Sequence, residues 1–81
     1  MYAALMAADE ILVDARGHRC PVPTLRLRRA LERSPSGSYI RLLADDPLAR
    51  IDVPHFAAGI GAVVLEQCDT EGGLSFLVAM A

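Results

Sequence analysis

The sequence contains no lysine and no tryptophan, and its 81 residues include only two cysteines. Without lysine, the chain has no side-chain amine for Schiff-base chemistry. Two cysteines are too few for the disulfide frameworks of small secreted proteins, so we expect free thiols and a cytoplasmic location. Eight arginines against ten acidic residues give a net charge of −2. Because general nucleic-acid binders are strongly basic, we expect no direct nucleic-acid contact.

The length allows a single domain, which we place at residues 10–81. Residues 1–9 form an apolar N-terminal extension ahead of it. This extension lacks the positively charged start of a signal peptide and is too short to span a membrane. Apolar residues make up 53% of the chain and charged residues 22%, which indicates a folded globule. We expect no membrane association.

Hydrophobic patterning and turn residues predict six elements in the order strand, helix, strand, helix, strand, strand. Their predicted bounds are residues 10–14, 22–33, 39–44, a stretch within 48–60, 62–69 and 74–79. Strands that alternate with helices usually pair in parallel, and the last two strands form an antiparallel hairpin. The sequence therefore predicts an α/β (α+β) two-layer sandwich, in which a mixed four-stranded sheet carries two helices on one face.

Two details of these elements are also predicted. The continuous apolar run Ile11-Leu12-Val13 is typical of a buried strand. Pro54 should limit the regular part of the second helix, because proline does not fit an undistorted helix interior.

Cys20 stands just before the first predicted helix and is the candidate catalytic residue. Pro23 suits the first turn of that helix, where its missing N–H is no loss. The helix N-terminus and the cations of Arg16 and Arg19 should favour the thiolate, which is the nucleophilic form of cysteine. We assign a structural role around Cys20, in the loop and at the helix start, to Gly17, Pro21 and Pro23.

Two sequence blocks resemble the TusA/SirA-like family of small sulfur-carrier proteins, over roughly residues 11 to 79. The first block is Asp14-Ala15-Arg16-Gly17, then Cys20-Pro21-Val22-Pro23, then Arg28-Arg29-Ala30-Leu31. The second is Ala44-Asp45-Asp46-Pro47, then Asp52-Val53-Pro54-His55-Phe56. The resemblance implies the same two-layer architecture, and it implies that Cys20 carries sulfur as a persulfide.

The resemblance also implies partners. Members of this family receive sulfur from a cysteine desulfurase or a rhodanese-like donor, and pass it to an acceptor protein in tRNA thiolation or related sulfur trafficking. Such exchange needs no cofactor, and we expect none. One alternative is a non-catalytic regulatory or protein-binding module of the same fold. Another is a thiol redox protein, which is disfavoured because no Cys-x-x-Cys motif or nearby resolving cysteine accompanies Cys20.

Other polar residues have simpler interpretations. Cys68 lies in an apolar strand and is expected to pack in the core. His18 could act as a general base, but a surface position is the simpler interpretation. One histidine beside one cysteine falls short of a zinc ligand set, so we expect no metal. A solvated helix face is the simplest interpretation of the arginines at positions 26, 28, 29 and 33.

Asp45 and Asp46 are most simply helix-capping residues, but the predicted topology gives them a second role. If the first two strands are parallel, the loops after them leave the same edge of the sheet, where α/β proteins place ligands. We therefore expect Asp45 and Asp46 to lie beside Cys20. With Arg16 and Arg19 they would support the thiolate or form one partner-docking face.

Overall fold

The computed structural model describes residues 10–35 and 37–80, and there it contains the six predicted elements in the predicted order. The strands and helices are β1 (Glu10–Asp14), α1 (Val22–Arg33), β2 (Tyr39–Ala44), α2 (Ala49–Gly59), β3 (Ala62–Thr70) and β4 (Gly73–Met80). Each bound lies within two residues of its prediction. The apolar extension assigned to residues 1–9 falls outside the described residues.

The sheet is mixed, as predicted. β1 and β2 pair in parallel, with Glu10 opposite Tyr39 and Asp14 opposite Leu43. β4 pairs antiparallel with both β2 and β3, so the strand order is β1-β2-β4-β3. Because β1 and β2 run in the same direction, the loops that follow them leave the same edge of the sheet.

Both helices pack on one face of this sheet, and the core lies between the two layers. α1 buries Leu27 and Leu31 against the sheet. α2 contributes Val53, and the facing side chains of the central strands include Phe76 of β4. Neither helix within the described ranges is long and apolar enough to cross a membrane.

The prediction of a buried first strand is wrong. β1 lies at an edge of the sheet, and of its apolar run only Val13 is buried. Ile11 is 37% exposed and Leu12 is 63% exposed. An edge strand has one neighbour in the sheet, and α1 covers only its inner face, so side chains on the other face remain in solvent.

The prediction that Pro54 limits the second helix is also wrong, because α2 runs through it from Ala49 to Gly59. Proline removes the N–H that would bond to the carbonyl of Arg50, so the helix loses one internal hydrogen bond there. The N–H of Ile60 still donates to the carbonyls of Phe56 and Ala57 at 3.3 and 3.2 Å. Packing of the helix on the sheet therefore outweighs the local penalty.

Cys68 was expected in the core, but it is exposed. In β3, Cys68 pairs with Ser75 of β4. The residue before it, Gln67, pairs with Phe76, which belongs to the core. Cys68 therefore faces the side of the sheet that carries no helix. The apolar residues around it made the strand assignment correct, but they did not indicate which face would be covered.

The β3–β4 hairpin brings the start of β4 very close to the end of β2. A Cβ atom at Gly73 would lie 2.5 Å from the carbonyl oxygen of Ala44. Real Cβ contacts are essentially never that short, so only glycine fits at this position without a backbone shift. Glycine at position 73 thus allows the start of β4 to pack against the end of β2. The loop between β2 and α2 leaves the sheet at this point.

Candidate functional site

Cys20 ends the loop between β1 and α1, and its side chain is half-buried against the core. α1 begins two residues later, and Pro23 is in its first turn, as predicted. The hydroxyl of Thr24 donates a 2.8 Å hydrogen bond to the carbonyl of Pro21, which supports this turn. The Cys20–Pro21 peptide bond is cis. The chain thus holds the sulfur at the junction of loop and helix.

Asp45 and Asp46 follow β2 and bind the backbone of the Cys20 loop. Both carboxylate oxygens of Asp45 accept from the N–H of Gly17 at 3.0 Å. Oδ2 of Asp46 accepts from the N–H of Cys20 at 2.9 Å, and Oδ1 accepts from the N–H of Leu48 at 3.0 Å. The predicted adjacency of the two loops is confirmed. The helix-capping interpretation of Asp45 and Asp46 is wrong, because the N-cap of α2 is Leu48 and no side chain caps it; Asp46 supports only the turn before the helix.

Gly17 has a φ of +86°, in the left-handed region that favours glycine, so the loop conformation expected of it is present. This conformation lets the N–H of Gly17 point at Asp45 across the loop pair. The Asp46 carboxylate is held ionised, because the N–H groups of Cys20 and Leu48 lower its pKa, with a smaller contribution from the charge of Arg19. A stable negative charge therefore stands at the base of the Cys20 loop.

The expectation that this loop favours the thiolate is wrong. Burial, the hydrogen bond to Asp52 and the charges of Asp52 and Asp46 raise the pKa of Cys20 to about 11. Each of these causes disfavours a second negative charge at the sulfur. The helix N-terminus acts in the opposite direction but contributes only about 0.3–1 kcal/mol at exposed sites. The resting sulfur is a thiol.

Arg16 does not act on the sulfur, because it is paired within its own loop. Its Nε and Nη2 donate to the two carboxylate oxygens of Asp14 at 2.8 and 2.7 Å. This fork and the backbone N–H of Arg16 lower the pKa of Asp14 to about 2. Arg19, in turn, acts on the Asp46 carboxylate. Arg16 and Arg19 thus act on neighbouring carboxylates, and neither is among the groups that shift the pKa of Cys20.

A depression of about 480 Å³ opens between the two loops. Its lining consists of residues from both loops: Gly17, His18, Arg19, Asp45, Asp46, Pro47 and Leu48. His18 is exposed, in line with its simpler interpretation as a surface residue. Leu48 and the nearby Ile51 of α2 are 57% and 69% exposed. The surface beside Cys20 is therefore polar at its centre and apolar at its α2 rim, which suits a protein partner.

Asp52 is the functional residue that the sequence reasoning missed. It lies in the first turn of α2 and was quoted only as part of the second block of the resemblance. The sequence places Asp52 early in the second helix but does not indicate which way its side chain points. No group of three His, Cys, Asp or Glu side chains suited to a metal ion occurs within the described residues.

Comparison with known proteins yields one family model. The model described as sulfurtransferase TusA matches residues 11–79. A protein of Archaeoglobus fulgidus, provisionally named a sulfur carrier protein, is 42% identical over 67 residues, which cover 82% of this chain and 87% of that one. The sulfur carrier protein TusA of Pseudomonas putida F1 is 30% identical over 63 residues, which cover 78% and 79% of the two chains.

The fold has a counterpart among crystal structures. A SirA-like protein from Desulfitobacterium hafniense superimposes with a TM-score of 0.71 at 28% sequence identity. The match covers 86% of this chain and 95% of the other.

Proposed function

Because the chain belongs to the TusA sulfurtransferase family, we propose that it is a sulfur carrier that holds sulfur as a persulfide on Cys20. The observation that carries this proposal is the placement of Cys20. It lies at the carboxyl-terminal edge of the parallel strands, on a loop that Asp46 fixes through a 2.9 Å hydrogen bond. This is the edge where α/β sheets place their ligands.

The reaction is an exchange without net oxidation. The sulfur of Cys20 attacks the terminal sulfur of a donor persulfide, and the S–S bond of the donor breaks as the new one forms. The donor cysteine leaves as a thiolate and takes up the proton lost by Cys20. In the second half, an acceptor thiolate attacks the terminal sulfur of the Cys20 persulfide, and the S–S bond on Cys20 breaks as the new one forms. Cys20 leaves as a thiolate and becomes a thiol by taking up the proton that the acceptor thiol lost. The exchange itself uses only thiol and persulfide groups.

The thiol proton of Cys20 lies near a carboxylate that can receive it. A thiol with a pKa near 11 is mostly protonated at neutral pH, so the attack requires a group that takes the proton. The carboxylate of Asp52 is close enough to raise the pKa of this thiol and is the group placed to receive its proton. Asp52 then acts as general base in loading and as proton donor to the departing donor thiolate.

The donor would be a cysteine desulfurase or a rhodanese-like protein, and the acceptor a further protein of the relay. Thiolation of tRNA or a related branch of sulfur trafficking in the cytoplasm is the process that we assign to it. A carrier needs little pocket of its own, because each partner brings its own active site. The open depression between the two loops, rimmed by Leu48, suits such brief docking.

The test is mass spectrometry of the protein after incubation with a cysteine desulfurase and L-cysteine. We expect one added sulfur atom in the wild type and in Cys68→Ser, and none in Cys20→Ser. Cys68→Ser is the matched control, because Cys68 is a free and exposed thiol on the sheet. Equal loading of wild type and Cys20→Ser would refute the proposal.

The second candidate is a non-catalytic protein-binding module, and the raised pKa of Cys20 is the observation that favours it. In that case Cys20 packs at the helix start without taking part in chemistry. The same experiment separates the two functions, because a module without sulfur chemistry gains no sulfur on Cys20.

A further inference from the structure

A groove bordered by arginine runs between α1 and the edge strand β1. Arg26, Arg29 and Arg33 line it, together with Val13 and Ala30, and its volume is about 310 Å³. Residues spaced three and four apart share one face of a helix, so the three guanidinium groups form a single row. We call this feature the arginine groove.

The arginine groove carries positive charge that no ion pair among the described residues neutralises. Arg26 donates to a backbone carbonyl, that of Asp14, at 2.7 Å. Arg29 and Arg33 have no carboxylate within ion-pair distance among residues 10–35 and 37–80. Elsewhere on the same helix, Arg28 pairs with Glu32 at 3.0 Å. In a chain with a net charge of −2, this concentration of cations on one side is a local exception.

The arginine groove also has an apolar side. Val13 lies in its lining, and Ile11, on the same face of β1, is 37% exposed. Among the residues that the structure describes, no aromatic ring on which a base could stack lines the groove. A cationic border over an apolar floor fits an acidic protein segment better than a nucleic acid.

The arginine groove and Cys20 fall within reach of one partner. α1 begins at Val22, and a helix rises about 1.5 Å per residue, so Arg29 and Arg33 lie about 10 and 16 Å along it. A protein–protein interface of standard size covers about 800 Å² per partner, a patch roughly 30 Å across. One protein can therefore contact the arginine groove while its persulfide reaches Cys20.

We propose that the arginine groove binds an acidic surface of the protein that donates sulfur to Cys20. This inference rests on the proposed function and adds the charge and position of the donor's docking site. Because Cys20 meets its donor as a thiol, most contacts between Cys20 and the donor persulfide do not lead to reaction. The complex of donor and carrier therefore has to last through many such contacts. Charge complementarity along α1 speeds the encounter and fixes the orientation in which it occurs.

The experiment compares two sources of sulfur in a Cys68→Ser background. A cysteine desulfurase with L-cysteine must dock, whereas inorganic polysulfide is a small reagent that needs no docking. We expect Arg29→Glu/Arg33→Glu to load at least tenfold more slowly from the desulfurase in dilute salt, and at the wild-type rate from polysulfide. Arg29→Lys/Arg33→Lys is the matched control, which keeps the charge and should load within about twofold of the wild type.

Salt gives an independent readout. At about 1 M salt the Debye length falls to about 3 Å, so the difference between wild type and Arg29→Glu/Arg33→Glu should nearly vanish. Circular dichroism checks that the variant is folded, as expected for substitutions at exposed positions.

Two results would overturn the docking proposal and leave the carrier function intact. One is equal loading of wild type and Arg29→Glu/Arg33→Glu by the desulfurase. The other is salt-sensitive binding of a single-stranded RNA oligonucleotide to the wild type that this variant loses, which would assign the arginine groove to nucleic acid. Failure of the wild type to load from either sulfur source would instead overturn the proposed function, and the docking proposal with it.

Discussion

The backbone N–H of Cys20 donates a 2.9 Å hydrogen bond to Oδ2 of Asp46, which lies 26 positions later in the chain. The position of the sulfur thus depends on the second loop as well as on α1. The same carboxylate places a negative charge near the thiol and contributes to its raised pKa. Asp46 therefore orders the Cys20 loop and lowers the reactivity of the resting sulfur.

Replacing Asp46 should separate these two effects. Asp46→Ala removes the acceptor of two backbone hydrogen bonds, so we expect the free energy of unfolding to fall by about 1–2 kcal/mol. The loss of negative charge should also lower the pKa of Cys20 and speed its alkylation at pH 8. Urea denaturation and iodoacetamide kinetics measure the two changes.

Asp45→Ala is the matched control for Asp46→Ala. It removes the acceptor for Gly17 but no charge that acts on Cys20, so stability should fall while the pH profile of alkylation stays unchanged. Identical alkylation kinetics in wild type and Asp46→Ala would contradict the electrostatic account.

The pKa of Cys20 predicts its pH profile directly. In a Cys68→Ser background the alkylation rate should keep rising with pH up to about 11. At pH 8 a thiol of that pKa has about a hundredfold less thiolate than one with a pKa of 9. Its greater intrinsic nucleophilicity offsets about tenfold of this deficit, so Cys20 should react about tenfold more slowly than an unperturbed thiol. A plateau below pH 9 would show that the thiol is not suppressed.

Asp52→Asn should shift this profile. The substitution removes a negative charge near the thiol and leaves a neutral amide in its place, so the pKa of Cys20 should fall and alkylation at pH 8 should accelerate. Sulfur loading from a protein donor should nevertheless slow, because the group placed to take the proton is gone. Faster alkylation together with faster loading would remove Asp52 from the reaction and leave it only an electrostatic role.

Arg41 should be important for stability on the face of the sheet that carries no helix. Its guanidinium forms a fork with Glu10 at 2.9 and 3.1 Å, donates to the hydroxyl of Ser75 at 3.1 Å, and lies 3.2 Å from Glu66. These contacts connect all four strands. We expect Arg41→Met to lower the free energy of unfolding by about 2 kcal/mol at pH 7.

The same contacts predict a pH dependence. The hydrogen bonds from Arg41 lower the pKa of Glu10, so their contribution is complete above the ordinary pKa of glutamate and is lost as pH falls through the lowered value. The difference between wild type and Arg41→Met should therefore shrink in acid. Arg28→Met, which breaks an exposed pair with Glu32, is the control and should cost about 0.5 kcal/mol or less. Equal losses in the two variants would contradict this prediction.

Gly73 should not tolerate a methyl group. A Cβ there would lie 2.5 Å from the carbonyl oxygen of Ala44, so Gly73→Ala must displace backbone and should cost about 1–3 kcal/mol. Gly59, in the last turn of α2, has open space around its Cβ position. Gly59→Ala should therefore be neutral or stabilise by up to about 1 kcal/mol. Thermal denaturation of the two variants distinguishes these outcomes.

The elements could be predicted because local signals determine them. Pro23 and the helix formers after Cys20 specify α1, and the paired glycines after Glu71 specify the hairpin. The adjacency of Asp45 and Asp46 to Cys20 followed from parallel pairing alone. The predictions that failed concern properties that the tertiary environment of a side chain determines.

The sequence could not show that Asp52 faces the thiol or that Arg16 is paired with Asp14, because both depend on side-chain directions across a loop. The direction in which neighbouring groups shift the pKa of a thiol depends on where these side chains point. The expected activation of the Cys20 thiol by the helix N-terminus was therefore reversed, first by burial and then by two nearby carboxylates. The exposure of Cys68 was missed for a similar reason, since strand alternation does not reveal which face a helix covers.

The strand order has a consequence for biosynthesis. β4 is the last of the described elements to leave the ribosome, yet it is the strand between β2 and β3. Until residues 73–80 emerge, β3 has no partner in the sheet and α2 lacks the part of its packing surface that β4 supplies. The β1–α1–β2 unit can begin to form earlier, but the end of β2, from which the Asp46 turn leaves, gains its second neighbour only when β4 pairs with it. The site around Cys20 should therefore become ordered late in synthesis, after the chain has supplied its central strand.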